Sequence, residues 1–250
     1  MEKDFVGGFA KGLRVLEAFG EANPRLSISD TSRLTGLDRA TARRCLLTLA
    51  QLGYADYDGK FFALTPRVLR LGQAYLSATL LPQIVQPHLE RLSGEVEQST
   101  SVSVLDGADI VYVARASQRR VMSINLTPGS RLPAYCASMG RVLLAALPEG
   151  EARRRMEQTD RHAFTSHTRT DLKELMEELA KVRREGFAII DQELELGLCS
   201  IAVPLRDTRG QVVAAVNVGA PAAQIPASRL VERFLQPLLD IAHTLQPILR

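Results

Sequence analysis

LSISDTSRLTGLDRATARRCLLTLAQLGYADYDGKFF, residues 26–62, decides the fold. It reads as a short helix, a tight turn, a second helix and a β-hairpin. Ser29 or Asp30 can cap the first helix, which ends near Leu34-Thr35, and Gly36 supplies the turn. Asp38 suits the N-cap of the second helix, which runs to about Leu52 and stops at Gly53. On a 3.6-residue wheel Ala42, Cys45, Leu46 and Leu49 share one side, with Arg44, Ala40 and Gln51 opposite. Arg43 lies on one flank, Thr41 and Thr48 on the other. One face can enter a small core while the other offers Arg and Thr to a groove and its phosphates. An amphipathic surface helix with merely solvated arginines would look similar. The capped helix before it and the aromatic hairpin after it favour a winged helix-turn-helix. Arg39, Thr41, Arg43, Arg44 and Thr48 are the expected DNA contacts. Lys60, beside the Asp58-Gly59 turn, is the expected wing contact.

Working outward, FAKGLRVLEAF (residues 9–19) is an amphipathic first helix, with Lys11 and Arg14 able to reach phosphate. Thr65-Pro66 opens another helix, with Pro in its first turn. Its apolar face (Val68, Leu69, Leu71, Tyr75, Leu76) suits a connecting and dimerising helix, and Leu81-Pro82 marks a boundary. Beyond it the pattern changes. A helix covers 83–96, alternating runs at 101–105 and 110–114 flank Asp106-Gly107, and 121–126 reads as a third strand. Pro128, Gly129 and Pro133 read as a loop. A short helix (140–147), a charged helix from Glu149 and a helix over 170–184 follow. Strands at 187–190, 199–205 and 211–218 precede a last helix capped by Ser228 and kinked by Pro237. Antiparallel strands between helices give an α+β fold. The expected domains are residues 1–65 for DNA, 66–81 as a linker helix and 82–250 as a ligand-binding domain.

Charge divides the same way. Residues 1–70 hold 11 Lys/Arg against 8 Asp/Glu, whereas the remaining 180 hold 20 of each. A basic module joined to a neutral one suits a nucleic-acid reader with a partner domain of another kind. At 46% hydrophobic and 24% charged residues the composition is that of a globular protein. No apolar run approaches the ~20 residues of a membrane span, and the acidic N-terminus lacks a signal-peptide core. The expected location is cytoplasmic, with no membrane partner. The three cysteines, Cys45, Cys136 and Cys199, are scattered and odd in number, so no disulfide framework or CxxC metal site is expected.

With these parts in order, the chain resembles the IclR family of bacterial transcriptional regulators over nearly its full length. The matching residues are 26–64, YCASMGR at 135–141 and GFAIIDQELELGLCSIAVP at 186–204. Within the family it looks most like regulators of aromatic-acid catabolism (protocatechuate, 4-hydroxybenzoate and β-ketoadipate pathways). The resemblance implies a GAF-like effector domain with an antiparallel sheet, a small organic-acid effector, a double-stranded DNA operator and a homodimer or dimer of dimers. It implies no cofactor, metal or catalytic residue. The implied pocket is lined by Ser138, Met139 and Gly140, by Asp191, Cys199 and Ser200, and by Asn217 and Gly219. Relatives that take small acids carry Ser where this chain has Asn217, which argues against glyoxylate or pyruvate.

The residues themselves add detail. Ser138 and the amides of Met139 and Gly140 open a helix, and a helix N-terminus attracts a carboxylate. Ser138 could equally be an N-cap. Asn217 is an amide in an apolar strand, suited to a ligand or to a structural hydrogen bond. Arg115 and Arg141 are candidate carboxylate partners, and Tyr135 with Met139 could wall a ring. Two further readings stand beside the regulator. One is an enzyme acting on a small aromatic or keto acid through Asp191, Glu193 and Glu195, although His162 and His167 lie in a polar loop and no nucleophile motif accompanies them. The other is a redox sensor using Cys136 or Cys199.

Overall fold

The computed structural model describes residues 4–20, 22–117 and 126–249. The chain divides into two compact units, Met1–Ala78 and Thr79–Arg250.

In the first unit, α1 (Gly7–Glu17), α2 (Ile28–Thr35) and α3 (Arg39–Gln51) pack on a three-stranded sheet of order β1-β3-β2. β2 (Ala55–Tyr57) and β3 (Phe62–Leu64) are the hairpin, and β1 (Arg25–Leu26) pairs with β3 as a strand not anticipated from sequence. That strand shifts the cap of α2. Ser27, directly after β1, is the N-cap, and it exchanges bonds with Asp30 in a capping box, so neither Ser29 nor Asp30 is the cap. Gly36 ends α2 at φ 68°, the left-handed conformation that favours glycine. Asp38 caps α3 by accepting from the Thr41 amide. Val15, Leu37, Leu46, Ala55 and Phe62 form the core. Thr65 caps a short 3-10 turn (Pro66–Val68) that leads into α4 (Leu69–Ala78).

The second unit begins with α5 (Leu80–Val96), so the helix starts before Leu81-Pro82 and Pro82 sits in its first turn, where no N–H is needed. Its six-stranded antiparallel sheet has the order β6-β5-β4-β9-β8-β7. The strands are β4 (Ser99–Asp106), β5 (Asp109–Ala116), β6 (Arg131–Pro133), β7 (Ala188–Asp191), β8 (Leu198–Arg206) and β9 (Val212–Pro221). The strand expected at 121–126 falls on residues outside those described, apart from Leu126, which lies in no strand. The edge strand is instead β6, inside the expected loop. α5 and α9 (Gln236–Leu245) cover one face of the sheet. α6 (Ser138–Ala146) and α8 (Leu172–Glu185) lie on the other side, with α7 (Glu149–Gln158) beside them. Ser228 lies in a 3-10 turn and does not cap α9. A π turn over Val231–Leu235 precedes Pro237, so a widened turn accommodates the missing proline N–H.

Gly140 fixes how α6 enters. A Cβ there would lie 2.2 Å from the Ala134 carbonyl oxygen. Gly140→Ala should therefore lower the unfolding free energy by about 3 kcal/mol. Gly94→Ala, on exposed α5 with nothing within 4 Å, should raise it by about 0.5 kcal/mol. Urea titrations of the two variants check the contrast.

Candidate functional site

Strand parity builds the site. Alternate side chains point to opposite faces of a sheet. On the α6 face one row runs Arg115, Ser101, Asn217, Ala202 across β5, β4, β9 and β8. The next includes Ser99, Gly219 and Ser200. Simple alternation would send Tyr112, three residues from Arg115, to the opposite face. The register shifts between Val102 and Ser103, so that Val102 faces Ala114 while Ser103 faces Tyr112, leaving Val113 as the extra residue. This β-bulge returns Tyr112 to the face of Arg115.

Against these rows lies a narrow cavity of about 40 Å³ that opens to solvent. Six of the ten expected ligand residues line it: Arg115, Ser138, Met139, Ser200, Asn217 and Gly219. Ser138 is not an N-cap. It is the first residue of α6, and its hydroxyl meets that of Ser200 at 2.9 Å. Ala137 holds the N-cap without a side-chain bond, so no side chain caps the first-turn amides. Arg115 is half-buried. Its Nη1 donates to Ser101 Oγ at 2.8 Å and its Nε to Ser117 Oγ at 3.0 Å. Burial lowers its pKa, and among the described residues no carboxylate pairs with it. The Asn217 Oδ1 is buried without a hydrogen-bond partner.

Four expected residues lie elsewhere. Asp191 pairs with Cys199 on the opposite face of the sheet, and the Cys199 thiol donates to Asp191 Oδ1 at 3.0 Å. Neighbours of opposite parity, Cys199 and Ser200 cannot both face one pocket. Tyr135 is buried in the core, its hydroxyl donating to the His162 carbonyl at 2.6 Å. Gly140 serves packing on Ala134. Arg141 is also unavailable to a ligand. Its Nη2 lies 2.6 Å from Glu193 Oε2, with side chains 1% and 5% exposed. Tyr112 and Leu194, not singled out from sequence, do line the cavity. The bulge that admits Tyr112 leaves no mark in the alternation of IVYVA.

None of Asp191, Glu193 and Glu195, the residues of the catalytic reading, lines the cavity. Glu193 is neutralised by Arg141, and Asp191 faces away from the cavity. His162 and His167 are exposed. Burial pushes the thiols of Cys136 and Cys199 up to about 12, so neither is a thiolate at neutral pH.

On the DNA-reading unit, Arg39, Arg43, Arg44 and Thr48 are exposed on α3. Thr41 is not available: it is 7% exposed and its Oγ1 accepts from Arg44 Nη2 at 3.3 Å. Lys60 stands 5.0 Å from the Phe61 ring centre at the wing. Arg25, brought there by β1, stands 5.3 Å from the same ring and pairs with Asp58.

A helix-turn-helix unit and a polar-lined cavity lie in separate compact units. Residues 9–59 match the IclR helix-turn-helix domain, and residues 73–246 the family described as bacterial transcriptional regulator IclR C-terminal. The chain belongs to the IclR family of transcriptional regulators. It is 45% identical over 249 residues to the Pca regulon regulatory protein of Pseudomonas putida, covering 98% of this chain and 86% of that one. It is 36% identical to the p-hydroxybenzoate hydroxylase transcriptional activator of Acinetobacter baylyi, covering 98% and 92%. A solved IclR homologue from Microbacterium hydrocarbonoxydans, complexed with 4-hydroxybenzoate, superposes with a TM-score of 0.75 at 27% identity, covering 96% of this chain and 99% of that one. The chain is thus a DNA-binding regulator with an effector-binding domain, most similar to regulators of aromatic catabolism. Among the described residues, no helix is long and apolar enough to cross a membrane.

The Arg141–Glu193 pair can be tested directly. Glu193→Ala leaves a buried guanidinium without its anion and should cost about 3–5 kcal/mol. Replacing both residues together, Arg141→Met with Glu193→Leu, should recover most of that loss. Chemical denaturation of both variants decides. A single variant as stable as the parent would show that the pair does not hold the site.

Proposed function

We propose that this regulator binds a palindromic operator as a homodimer or dimer of dimers in the cytoplasm and responds to a small organic acid, an aromatic carboxylate or a β-ketoadipate-type catabolite. In this reading residues 1–65 read DNA, 66–81 link and 82–250 bind the acid. The observation that carries it is Arg115: a half-buried guanidinium with no carboxylate partner among the described residues, lining a cavity that also meets the N-terminus of α6. A carboxylate would supply the missing anion and accept from donors already in place. The 4-hydroxybenzoate bound by the Microbacterium homologue is an acid of this class.

The first unit offers a surface for self-association. Phe9 and Leu13 of α1 are 68% and 40% exposed, and Leu71 and Tyr75 of α4 are 48% and 47% exposed. Phe9, Leu13 and Leu71 border an apolar groove with Leu16, Leu49 and Leu52. Joining two copies there would bury it and present two α3 helices to half-sites about one DNA turn apart. In the second unit, Gln86 of α5 donates to the Arg115 carbonyl at 3.2 Å, so the helix that opens the unit is bonded to the strand bearing the acid's partner. An acid held more tightly in one arrangement than in another would shift the population between them.

Arg115→Gln should weaken acid binding at least about tenfold in a calorimetric titration, since hydrogen bonds to charged groups contribute roughly 1.5–3 kcal/mol. Operator affinity without acid should be unchanged. An acid affinity equal to the parent's would remove Arg115 from the site. Arg44→Ala should weaken operator binding in a mobility-shift titration and leave acid binding intact. If Arg44 contacts phosphate, the salt dependence falls by about one unit. Unchanged DNA affinity would displace the proposed recognition face from α3.

A further inference from the structure

The polar groups at the cavity fall into two sets. Ser138 and Ser200 bond each other. Two groups have no such bond among the described residues. The Asn217 Oδ1 is buried without a partner, and the hydroxyl of Tyr112, on a residue only 4% exposed, has no such bond. Both residues line the cavity, on the same sheet face as Arg115. Buried polar groups are satisfied as a rule, so the unsatisfied Asn217 Oδ1 at the cavity wall calls for a polar occupant, and the open Tyr112 hydroxyl can bond the same one.

We propose that Tyr112 is a specificity-determining residue, whose phenol donates a hydrogen bond to an oxygen substituent that the acid carries away from its carboxylate. The inference rests on reading the cavity as an acid site, with Arg115 as the carboxylate's partner. Tyr112 then adds what Arg115 lacks, a neutral donor on a stiff ring with only two side-chain torsions. Burial pushes this phenol up to about 12, so it keeps its proton throughout the neutral range. Asn217, also open, accepts from a ligand hydroxyl or donates to a ligand carbonyl. A hydroxylated or oxo acid therefore satisfies both groups, while its unsubstituted analogue leaves them buried and unbonded. That penalty is how a site rejects a ligand lacking one oxygen. The Val113 bulge makes the pairing possible, because without it Tyr112 and Arg115 would face opposite sides of the sheet.

Titration calorimetry of the full chain with two probe pairs tests this: 4-hydroxybenzoate against benzoate, and β-ketoadipate against adipate. Members of each pair differ by one oxygen function, and the two pairs separate an aromatic from an aliphatic source. In one pair the oxygenated member should bind roughly tenfold more tightly to the parent protein. Tyr112→Phe keeps the ring and should abolish that preference, leaving affinity for the plain acid within about twofold of the parent value. The proposal is overturned if the preference survives in Tyr112→Phe, or if both members weaken equally, which would mark Tyr112 as packing only. It is also overturned if the parent binds both members equally, although the acid site itself would then stand. If none of the four acids binds, the acid site falls and this inference with it. Arg115→Gln separates the two roles, since it should weaken both members of a pair while Tyr112→Phe weakens one.

Discussion

A buried ion pair joins the segments around the cavity. Arg141, on the first turns of α6, donates through Nη2 to Glu193 and through Nε to the Tyr135 carbonyl at 2.9 Å. Glu193 also accepts from the Arg169 amide at 3.0 Å, and its own carbonyl accepts from Thr168 Oγ1 at 2.5 Å. One carboxylate thus binds three segments: α6, the 160–170 loop and the turn between β7 and β8. Taking two charges out of water is costly, and the attraction compensates only when the remaining donors and acceptors are also met. Here they are met by backbone groups of the segments being joined. The helix whose N-terminus opens on the cavity is set by this pair and by the absence of a side chain at Gly140.

The wall opposite α6 obeys a different constraint, the period of two. Every residue that the cavity takes from β8 and β9 has the parity of Ser200 and Asn217; those of the other parity, Cys199 and Val218 among them, pack in the core shared with α5 and α9. β5 obeys the rule only up to Val113. One inserted residue resets its phase, so a phenol and a guanidinium three positions apart share a face.

These two constraints explain what could be read from the chain alone. The DNA-reading unit was largely legible because its signals are local: Asp38 before a helix, Gly36 in a turn, Asp58-Gly59 between aromatic runs. Its one misplaced cap came from β1, a strand made only by pairing with distant β3. Of the cavity's lining, Ser138, Met139, Ser200, Asn217 and Gly219 were named through family resemblance, and Arg115 through its charge. Asp191 and Cys199, also named, adjoin lining residues in sequence while pointing the other way. Arg141 looked as open as Arg115, since nothing local reveals Glu193, 52 residues on, as its partner. Tyr112 was missed because a bulge is a property of two strands together.

Arg115 and Arg141 show why burial alone does not define a binding group. Arg141 has its anion in Glu193, whereas among the described residues Arg115, on the cavity wall, has none. Taking Arg141 toward a ligand would leave Glu193 buried and unpaired, a cost a small acid could hardly offset. Arg115 reverses the balance. Burial disfavours its charge, and among the described residues its side chain bonds only serine hydroxyls, so a carboxylate placed there would gain an interaction without breaking an ion pair. The same residue's carbonyl is bonded to Gln86, so a change in how β5 lies at Arg115 bears on α5. Whatever free energy the acid gives to this region is usable for regulation only to the extent that Arg115 is better placed for it in one arrangement than in the other.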